Sequence, residues 1–284
     1  MTQTSMQIKA LIRNKAAGDS DKAQILLRIY MMERFLERVS VSKYKNNFIL
    51  KGGMLVSSLV GVDLRTTMDI DTTVRALPLT QNEMRRILDE IMTIDLQDGV
   101  RFEIQKVMDI MEGHEYEGVR FFVKGYLDRM WQTIKIDIST GDSITPAAIE
   151  YNLPLLLEKR NIELWAYNIE TLLAEKLETI MSRAEGNTRM RDFYDIYILT
   201  NMEKIDINEA FMRKAFRNTC VHRGTEKNIY QFDEILLKIG SSIVMSNLWE
   251  VYKSDNDYVS DLSWNTVVAK VKELSKVVIP DSIS

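Results

Sequence analysis

The sequence is poor in cysteine and proline and holds no long apolar run, and each shortage excludes a class of protein. Cys220 is the sole cysteine, which excludes an internal disulfide framework and a zinc site built on cysteines. Four prolines and twelve glycines among 284 residues argue against a long disordered linker. No apolar run approaches the roughly 18 residues of a membrane span. We therefore expect a folded, non-membrane chain with one large domain or two modest ones.

A surplus of basic residues is missing as well. The formal net charge is -4, whereas proteins that grip nucleic acid over a long tract are basic because phosphate contacts dominate their affinity. This argues against extended, non-specific nucleic-acid binding but leaves room for a local basic patch that holds a nucleotide or an RNA end. Residues 1–20 lack the basic start, apolar centre and cleavage site of a signal peptide, so we expect a cytoplasmic protein.

Apolar spacing divides the chain into an α+β part and a helical part, with a boundary in residues 145–168. We place the domains at 1–160 and 161–284. The predicted strands are 47–50, 68–74 and three runs that begin at Phe102, Gly118 and Trp131, the last three joined as antiparallel hairpins. Helices are predicted at 20–38, 54–61 and 80–94, and then throughout the helical part, including one long helix at 226–253.

Two aspartates stand one residue apart in “KGGMLVSSLVGVDLRTTMDIDTT”, residues 51–73. Side chains alternate across a strand, so Asp69 and Asp71 share one face while Ile70 takes the other. Two carboxylates on one face repel each other and are costly to desolvate unless a cation neutralises them. The pattern predicts a site for Mg²⁺, or the similar Mn²⁺, which binds through carboxylates and substrate phosphates. The alternative is a pair of strand-end aspartates that face solvent.

A third carboxylate, Asp137, lies in “TIKIDIS”, where it alternates with isoleucines that point to the core. If this strand neighbours the aspartate strand, Asp137 joins Asp69 and Asp71 in the cluster that a two-metal phosphoryl-transfer site needs. Upstream, Gly52 and Gly53 follow a strand and open a short helix, where backbone N–H donors are accessible to phosphate. The sequence contains no Walker loop.

The helical part carries two charged motifs. In “LLAEKLETIMSR”, Lys176 and Arg183 are seven apart and lie on one helix face. In “RMRDFYDIYIL”, Asp192 and Asp195 lie together, and Arg191 is spaced to pair with Asp195. On spacing alone, ion pairs on a solvated helix surface are the common outcome. In the alternative, Asp192 or Asp195 holds Lys176 or an arginine in position, and Lys176 neutralises charge on a departing pyrophosphate.

These stretches together resemble the AbiEii/AbiGii toxin family, part of the nucleotidyltransferase superfamily that includes DNA polymerase beta. Residues 51–73 resemble the family's first motif, residues 172–183 its lysine-bearing helix, and residues 189–199 its Arg-Asp-x-x-Asp segment. The match runs in order over roughly residues 48–200, which is more than isolated motifs would give by chance. The resemblance implies a nucleotidyltransferase-like mixed sheet flanked by helices, a C-terminal helical bundle, and a toxin that transfers nucleotides from an NTP.

The resemblance also implies functional residues and partners. The implied catalytic set is Asp69, Asp71, Asp137, Lys176, Asp192 and Asp195, and the first three of these are the implied metal ligands. The implied nucleotide-binding set is Lys51, Gly52, Gly53, Thr66, Thr67, Lys176 and Arg191. Family members pair with a separately encoded antitoxin, typically in phage-defence or plasmid-maintenance operons, and some relatives extend the 3′ end of tRNA. Gly53-Met54 stands where the superfamily has Gly-Ser, so a nearby hydroxyl from Ser57, Ser58, Thr66 or Thr67 would replace the serine.

The sequence leaves three hypotheses open. The leading one is a metal-dependent nucleotidyltransferase toxin with an RNA acceptor, tRNA being favoured. In the second, the nucleotidyl or phosphoryl group moves to a protein or small-molecule hydroxyl, which the low basicity favours slightly. The third is a nucleotide-binding module without catalysis. Against it stands the presence of the three strand carboxylates and Lys176, because a degenerate copy tends to lose charges that are costly to bury.

Overall fold

The computed structural model describes residues 4–110, 118–259 and 261–279, and the chain divides into two compact units. The first unit takes the residues up to 59, 66–142 and 149–166, and the second takes 60–65, 143–148 and the residues from 167 onward. The first unit thus reaches past the predicted boundary at residue 160, because the strand at 161–166 belongs to its sheet.

The mixed α/β class with a helical C-terminal region is confirmed. The strands of the described residues are β1 Phe48–Lys51, β2 Asp69–Val74, β3 Val100–Ile110, β4 Gly118–Leu127, β5 Met130–Thr140, β6 Ile149–Pro154 and β7 Asn161–Ala166. The α-helices described are α1 Ser5–Ala16, α2 Ser20–Val41, α3 Gly52–Val60, α4 Gln81–Met92, α5 Ile169–Arg183, α6 Met190–Thr200, α7 Glu209–Arg223, α8 Phe232–Ser241, α9 Ile243–Ser254 and α10 Trp264–Val278. Sequence reasoning did not predict α1, β6 or β7.

The first unit is built on one mixed sheet with the strand order β3-β4-β5-β2-β1-β7-β6. The predicted hairpins β3–β4 and β4–β5 are antiparallel, and β2 pairs in parallel with β5. The core face carries Ile70, Ile134 and Ile136, which are fully buried, and α2 packs against β5 and β7. Burying these isoleucines fixes the register, because a one-residue slip would turn them toward water.

The second unit is helical and corrects one prediction. The single helix predicted at 226–253 is broken into a 3-10 turn at Glu226–Gln231 followed by α8 and α9. The break falls at Ser242, whose backbone is extended and whose side chain accepts a hydrogen bond from the Met245 N–H as the N-cap of α9. Serine competes with the helix for backbone hydrogen bonds and so favours caps over helix interiors. In the described part of the chain, no helix is long and apolar enough to cross a membrane.

Candidate active site

A row of charged residues crosses four adjacent strands of the first unit. Lys51 of β1 is paired with Asp71 of β2, Asp71 with Asp137 of β5, and Asp137 with Arg120 of β4. Residues paired across neighbouring strands project from the same face of a sheet. The condition set by the sequence, that the two aspartate strands be neighbours, is therefore met, and Asp137 lies directly opposite Asp71.

The Gly52–Gly53 pair contacts the carboxylate of Asp71. The Gly53 N–H donates a hydrogen bond to Asp71 Oδ2 at 3.2 Å. Gly52 has a φ of +63°, and a Cβ at this position would lie 2.1 Å from Asp71 Oδ2. A glycine is required here, both for the left-handed backbone and for the space that the carboxylate takes. The glycines thus hold Asp71 in place, and their role in binding phosphate stays a prediction.

Asp69 is the least satisfied of the strand carboxylates. Its Oδ1 atom is buried yet accepts no hydrogen bond in the structure. The Nζ atom of Lys135 lies 3.4 Å from this oxygen, and the Asp69 side chain is 27% exposed. A buried carboxylate oxygen that accepts no hydrogen bond from any described residue is costly, and a bound divalent cation would satisfy it.

Asp137, by contrast, is bound on both oxygens. Arg120 donates from Nε to Oδ1 at 2.7 Å and from Nη2 to Oδ2 at 2.6 Å, a bidentate pair. Within residues 4–110, 118–259 and 261–279, no group of three histidine, cysteine, aspartate or glutamate side chains is arranged to hold a metal ion. The donor set fits a divalent cation held by Asp69 and Asp71 together with substrate oxygens. Asp137 as a third ligand stays a prediction.

The other predicted nucleotide-binding residues of the first unit have protein partners. Lys51 is 2% exposed, and its Nζ contacts Asp142 Oδ2 at 2.5 Å. Asp142 also accepts a hydrogen bond from Ser139 Oγ at 3.0 Å. Thr67 donates to the backbone oxygen of Asp69 at 3.3 Å, and Thr66 is half-buried. A buried ion pair of this kind fixes the end of β1 beside the charged row.

The second unit holds a buried ion-pair cluster of its own. Lys176 Nζ lies 3.1 Å from Asp192 Oδ1 and 2.5 Å from Asp195 Oδ2. Arg65 Nε donates to Asp195 Oδ1 at 2.7 Å, and Arg189 lies 2.8 Å from Asp192. The structure therefore brings Lys176, Asp192 and Asp195 together. The predicted partner of Asp195, Arg191, is exposed, because the face of α6 that carries both aspartates points to the interior of the unit.

Electrostatics keep the carboxylates of this cluster ionised. Burial acts to raise the pKa of Asp195, but Arg65 and Lys176 outweigh it and lower the pKa to about 2. Burial also acts to raise the pKa of Asp192. Lys176 and Arg189 outweigh burial, and the pKa of Asp192 is lowered. The two ionised carboxylates and the cations Arg65, Lys176 and Arg189 are tolerated together because each charge has a close partner of opposite sign.

Sequence reasoning missed the charged partners in both clusters, namely Arg65, Arg120, Asp142 and Arg189. For Arg120 the sequence contained a signal. The two-residue turn between β4 and β5 pairs Leu127 with Met130, and counting back along the hairpin from this pair places Arg120 opposite Asp137. Arg65 had no such signal, because it is 130 residues away from Asp195 in the chain.

Comparison with known proteins gives a family and two similar solved structures. The family model described as “Nucleotidyl transferase AbiEii toxin, Type IV TA system” matches residues 34–270. The solved structure of MenT4, nucleotidyltransferase toxin Rv2826c from Mycobacterium tuberculosis H37Rv, is similar at a TM-score of 0.56 and 15% identity, covering 96% of this chain and 99% of that chain. JHP933 from Helicobacter pylori is similar at a TM-score of 0.50 and 14% identity, covering 92% and 93%. At these identities both structures show a shared fold. No match was found among curated proteins.

Proposed function

This chain belongs to the AbiEii nucleotidyl transferase toxin family of type IV toxin–antitoxin systems, and from that premise we propose that it moves a nucleotide from an NTP to the 3′ end of an RNA. The chain is a nucleotidyltransferase, and its family implies an antitoxin as partner. We infer that tRNA is the favoured acceptor. The proposed reaction takes place on the sheet face that carries Asp69, Asp71 and Asp137.

The observation that carries this proposal is the register of β2 against β5. It sets Asp71 opposite Asp137 on the face that also bears Asp69, and Asp69 Oδ1 is left without a hydrogen bond. Asp69 and Asp71 would hold Mg²⁺ or Mn²⁺, which when bound neutralises charge on the NTP phosphates. A pair of aspartates that merely faced solvent would leave no carboxylate oxygen buried without a hydrogen bond.

We propose Asp137 as the general base. In nucleotidyl transfer, a hydroxyl oxygen of the acceptor bonds to the α-phosphorus, the bond to pyrophosphate breaks, and the hydroxyl proton must leave. Asp137 would accept that proton, and the bidentate contact with Arg120 orients its carboxylate. Because Arg120 occupies both oxygens, the acceptor has to displace at least one of its N–H donors.

The helical cluster gives Asp192 and Asp195 a shared role. Both contact Lys176 Nζ, so we propose that they act as a pair that positions this lysine for the phosphates of the nucleotide. The remaining nucleotide-binding residues of this proposal are Lys51, Gly52, Gly53, Thr66, Thr67 and Arg191.

The test is incubation of the purified protein with Mg²⁺ and each α-labelled NTP in turn, in separate reactions that supply total bacterial RNA, bacterial protein or small alcohols as the acceptor. Asp69→Asn with Asp71→Asn is the inactive variant, and Asp109→Asn, an exposed aspartate on β3, is the matched control. We expect label in small RNA from the wild type and from the Asp109 variant. Label in a protein or a small alcohol would instead support the second hypothesis, transfer to a protein or small-molecule hydroxyl, which the net charge of -4 favours. A folded protein that labels none of these would overturn the proposal.

A further inference from the structure

The sheet face that bears Asp137 continues along β3, β4 and β5 as a surface of cations and aromatic rings, of which Arg101, Lys106 and Trp131 are exposed and the others half-buried. Strand pairing puts Lys124 opposite Thr133, Phe122 opposite Lys135, and Tyr126 opposite Trp131, on the same face as Arg120 and Asp137. On β3, Arg101 is paired with Tyr126, and Lys106 with Phe122. We call this surface the strip, and it consists of Arg101, Lys106, Arg120, Phe122, Lys124, Tyr126, Trp131 and Lys135.

The cations of the strip lie over its rings. The Nζ atom of Lys124 is 4.0 Å from the centroid of the Trp131 ring, and the guanidinium carbon of Arg101 is 3.9 Å from the centroid of Tyr126. Trp131 is nevertheless 54% exposed, and the Lys135 side chain is 41% exposed. Exposed tryptophan in a soluble protein is uncommon and marks a binding surface when it belongs to a patch.

The charge of the strip is opposite to that of the chain. The whole chain has a formal net charge of -4, whereas arginine and lysine supply all the charged members of the strip. Glu103 lies on the same face, and it accepts a hydrogen bond from the Tyr126 hydroxyl at 3.0 Å. Cations that track a phosphate backbone, combined with rings on which bases stack, are the recurring elements of single-strand binding surfaces.

From these observations we propose that the strip binds the single-stranded 3′ end of the RNA acceptor and leads it to Asp137. This inference rests on the function proposed above and deepens it. Lys124 and Arg101 move from the ring faces to the phosphates, and bases stack on the faces of Trp131 and Tyr126 that these cations leave.

The geometry gives the strip a direction. From Trp131 to Asp137 is six residues of extended strand, or roughly 20 Å, which accommodates a few nucleotides. At the Asp137 end, Lys135 approaches Asp69 at 3.4 Å, and Arg120 binds Asp137. A strand that lies on the strip therefore ends at the carboxylates where its terminal hydroxyl would react.

A pocket at the Trp131 end extends the basic surface. It has a volume of about 980 Å³, and its lining contains Trp131, the four cations Lys9, Arg13, Arg28 and Arg129, and one acid, Asp19. Its cations can hold the phosphates of RNA that lies upstream of the reacting end. An acidic segment of the antitoxin would satisfy the same cations, but it would leave the exposed ring of Trp131 without a planar partner. This ring therefore favours RNA.

The test compares Trp131→Ala and Lys124→Ala with the wild type. We measure binding of a fluorescein-labelled single-stranded RNA by anisotropy across a salt series, and KM for RNA and for NTP in the labelling reaction. Two variants are matched controls: Arg75→Ala, whose guanidinium lies 4.9 Å from the Trp165 ring, and Tyr230→Ala, which is 72% exposed.

We expect each strip variant to lose roughly tenfold or more in RNA affinity, with a matching rise in KM for RNA and an unchanged KM for NTP. Lys124→Ala should also flatten the slope of log K against log salt by about 0.7, because one phosphate contact is lost. Trp131→Ala should leave that slope unchanged, and thermal melting should stay at the wild-type value in both. Both control variants should bind RNA like the wild type.

The outcomes separate this inference from the proposed function. If the wild type labels RNA and the strip variants keep the wild-type affinity and KM, the strip is not the RNA site and only this inference fails. If the strip variants instead lose binding of the antitoxin, the occupant is a protein. If the wild type neither binds nor labels RNA while it labels another acceptor, the proposal that RNA is the acceptor fails as well.

Discussion

Asp69 on the sheet and Asp195 among the helices have opposite surroundings. Asp195 is fully buried, and its carboxylate contacts both Arg65 and Lys176 at hydrogen-bonding distance. Asp69 is 27% exposed, with a lysine at 3.4 Å and one buried oxygen that accepts no hydrogen bond. Both oxygens of Asp195 thus have protein partners, whereas Asp69 keeps one oxygen that accepts no hydrogen bond.

The difference indicates what each cluster does. Charges that are fully paired inside a unit contribute to its stability as long as no partner is removed. A buried carboxylate oxygen that accepts no hydrogen bond costs stability, and such groups persist where a ligand completes them. We therefore expect changes at the sheet carboxylates to act on catalysis, and changes at the helical carboxylates to act first on folding.

The largest effect should come from replacing Asp69 and Asp71 together by asparagine. Nucleotide transfer should fall by at least about a thousandfold, or ~4 kcal/mol in transition-state stabilisation, because the cation and its phosphates lose their ligands. The free energy of unfolding without Mg²⁺ should stay constant or rise, because two like charges on one sheet face are removed. Single-turnover labelling and urea unfolding measure the two quantities.

A loss of stability that explains the loss of activity would contradict this prediction. The Asp109→Asn variant again provides the matched control for a charge removed from the same sheet. Addition of Mg²⁺ should raise the melting temperature of the wild type and leave that of the double variant unchanged, since a ligand stabilises only the form that binds it.

The second largest effect should come from Asp195→Asn. Loss of this charge leaves Arg65 and Lys176 buried without their shared partner, which should cost about 3 kcal/mol in the free energy of unfolding. Asp206→Asn, an exposed aspartate of the same unit, should change it by less than ~0.5 kcal/mol. Urea unfolding measures both. If Asp195→Asn unfolds at the wild-type urea concentration and is still inactive, its role is catalytic and the contrast with Asp69 disappears.

The outcomes for the fold show how far sequence patterns reach. Alternation with period two located β2 and β5 and placed Asp69 and Asp71 on one face, because local burial alone sets that pattern. The prediction failed for β6, an edge strand in which Leu153 is the one buried residue, and for β7, although its residues alternate between exposed and buried. It also failed at Ser242, where one residue ends a helix that hydrophobic spacing would continue.

The limits in the candidate site have a different physical origin. The position of Asp137 beside Asp71 was predicted only on the condition that their two strands are neighbours. Strand order is a tertiary property that residue spacing does not determine. The pairing of Arg65 with Asp195 joins positions 130 residues apart, and no local pattern contains it. The glycines were predicted to bind phosphate, which stays a prediction. Their observed contact is with Asp71, and no local sequence pattern identifies this acceptor.

A third prediction concerns Gly52, where the backbone supports the incomplete carboxylates. In Gly52→Ala the new Cβ displaces Asp71 Oδ2, which it would otherwise approach to 2.1 Å, so transfer should fall about a hundredfold. The control is Gly141→Ala, also at a positive φ but with no atom within 4 Å of the added Cβ. Both variants should lose about 1 kcal/mol or more of stability from backbone strain. Equal activity in the two would show that Gly52 is needed for its backbone alone.

The smallest effect should be the response of Asp195 to acid. Its folded pKa of about 2 lies below its ordinary value of 3.8, so its contribution is fully present above pH 4 and is lost as the pH falls through 2. That contribution is roughly 2 kcal/mol, at about 1.4 kcal/mol for each pKa unit. The pKa of Asp192 is lowered as well, and because both carboxylates contact Lys176, the variant also alters the titration of Asp192. From the contribution of Asp195 alone, the gap of about 3 kcal/mol between the two proteins at pH 7 should narrow to about 1 kcal/mol at pH 2. A gap that stays constant in urea unfolding at both pH values would show that Asp195 is not held ionised by Arg65 and Lys176.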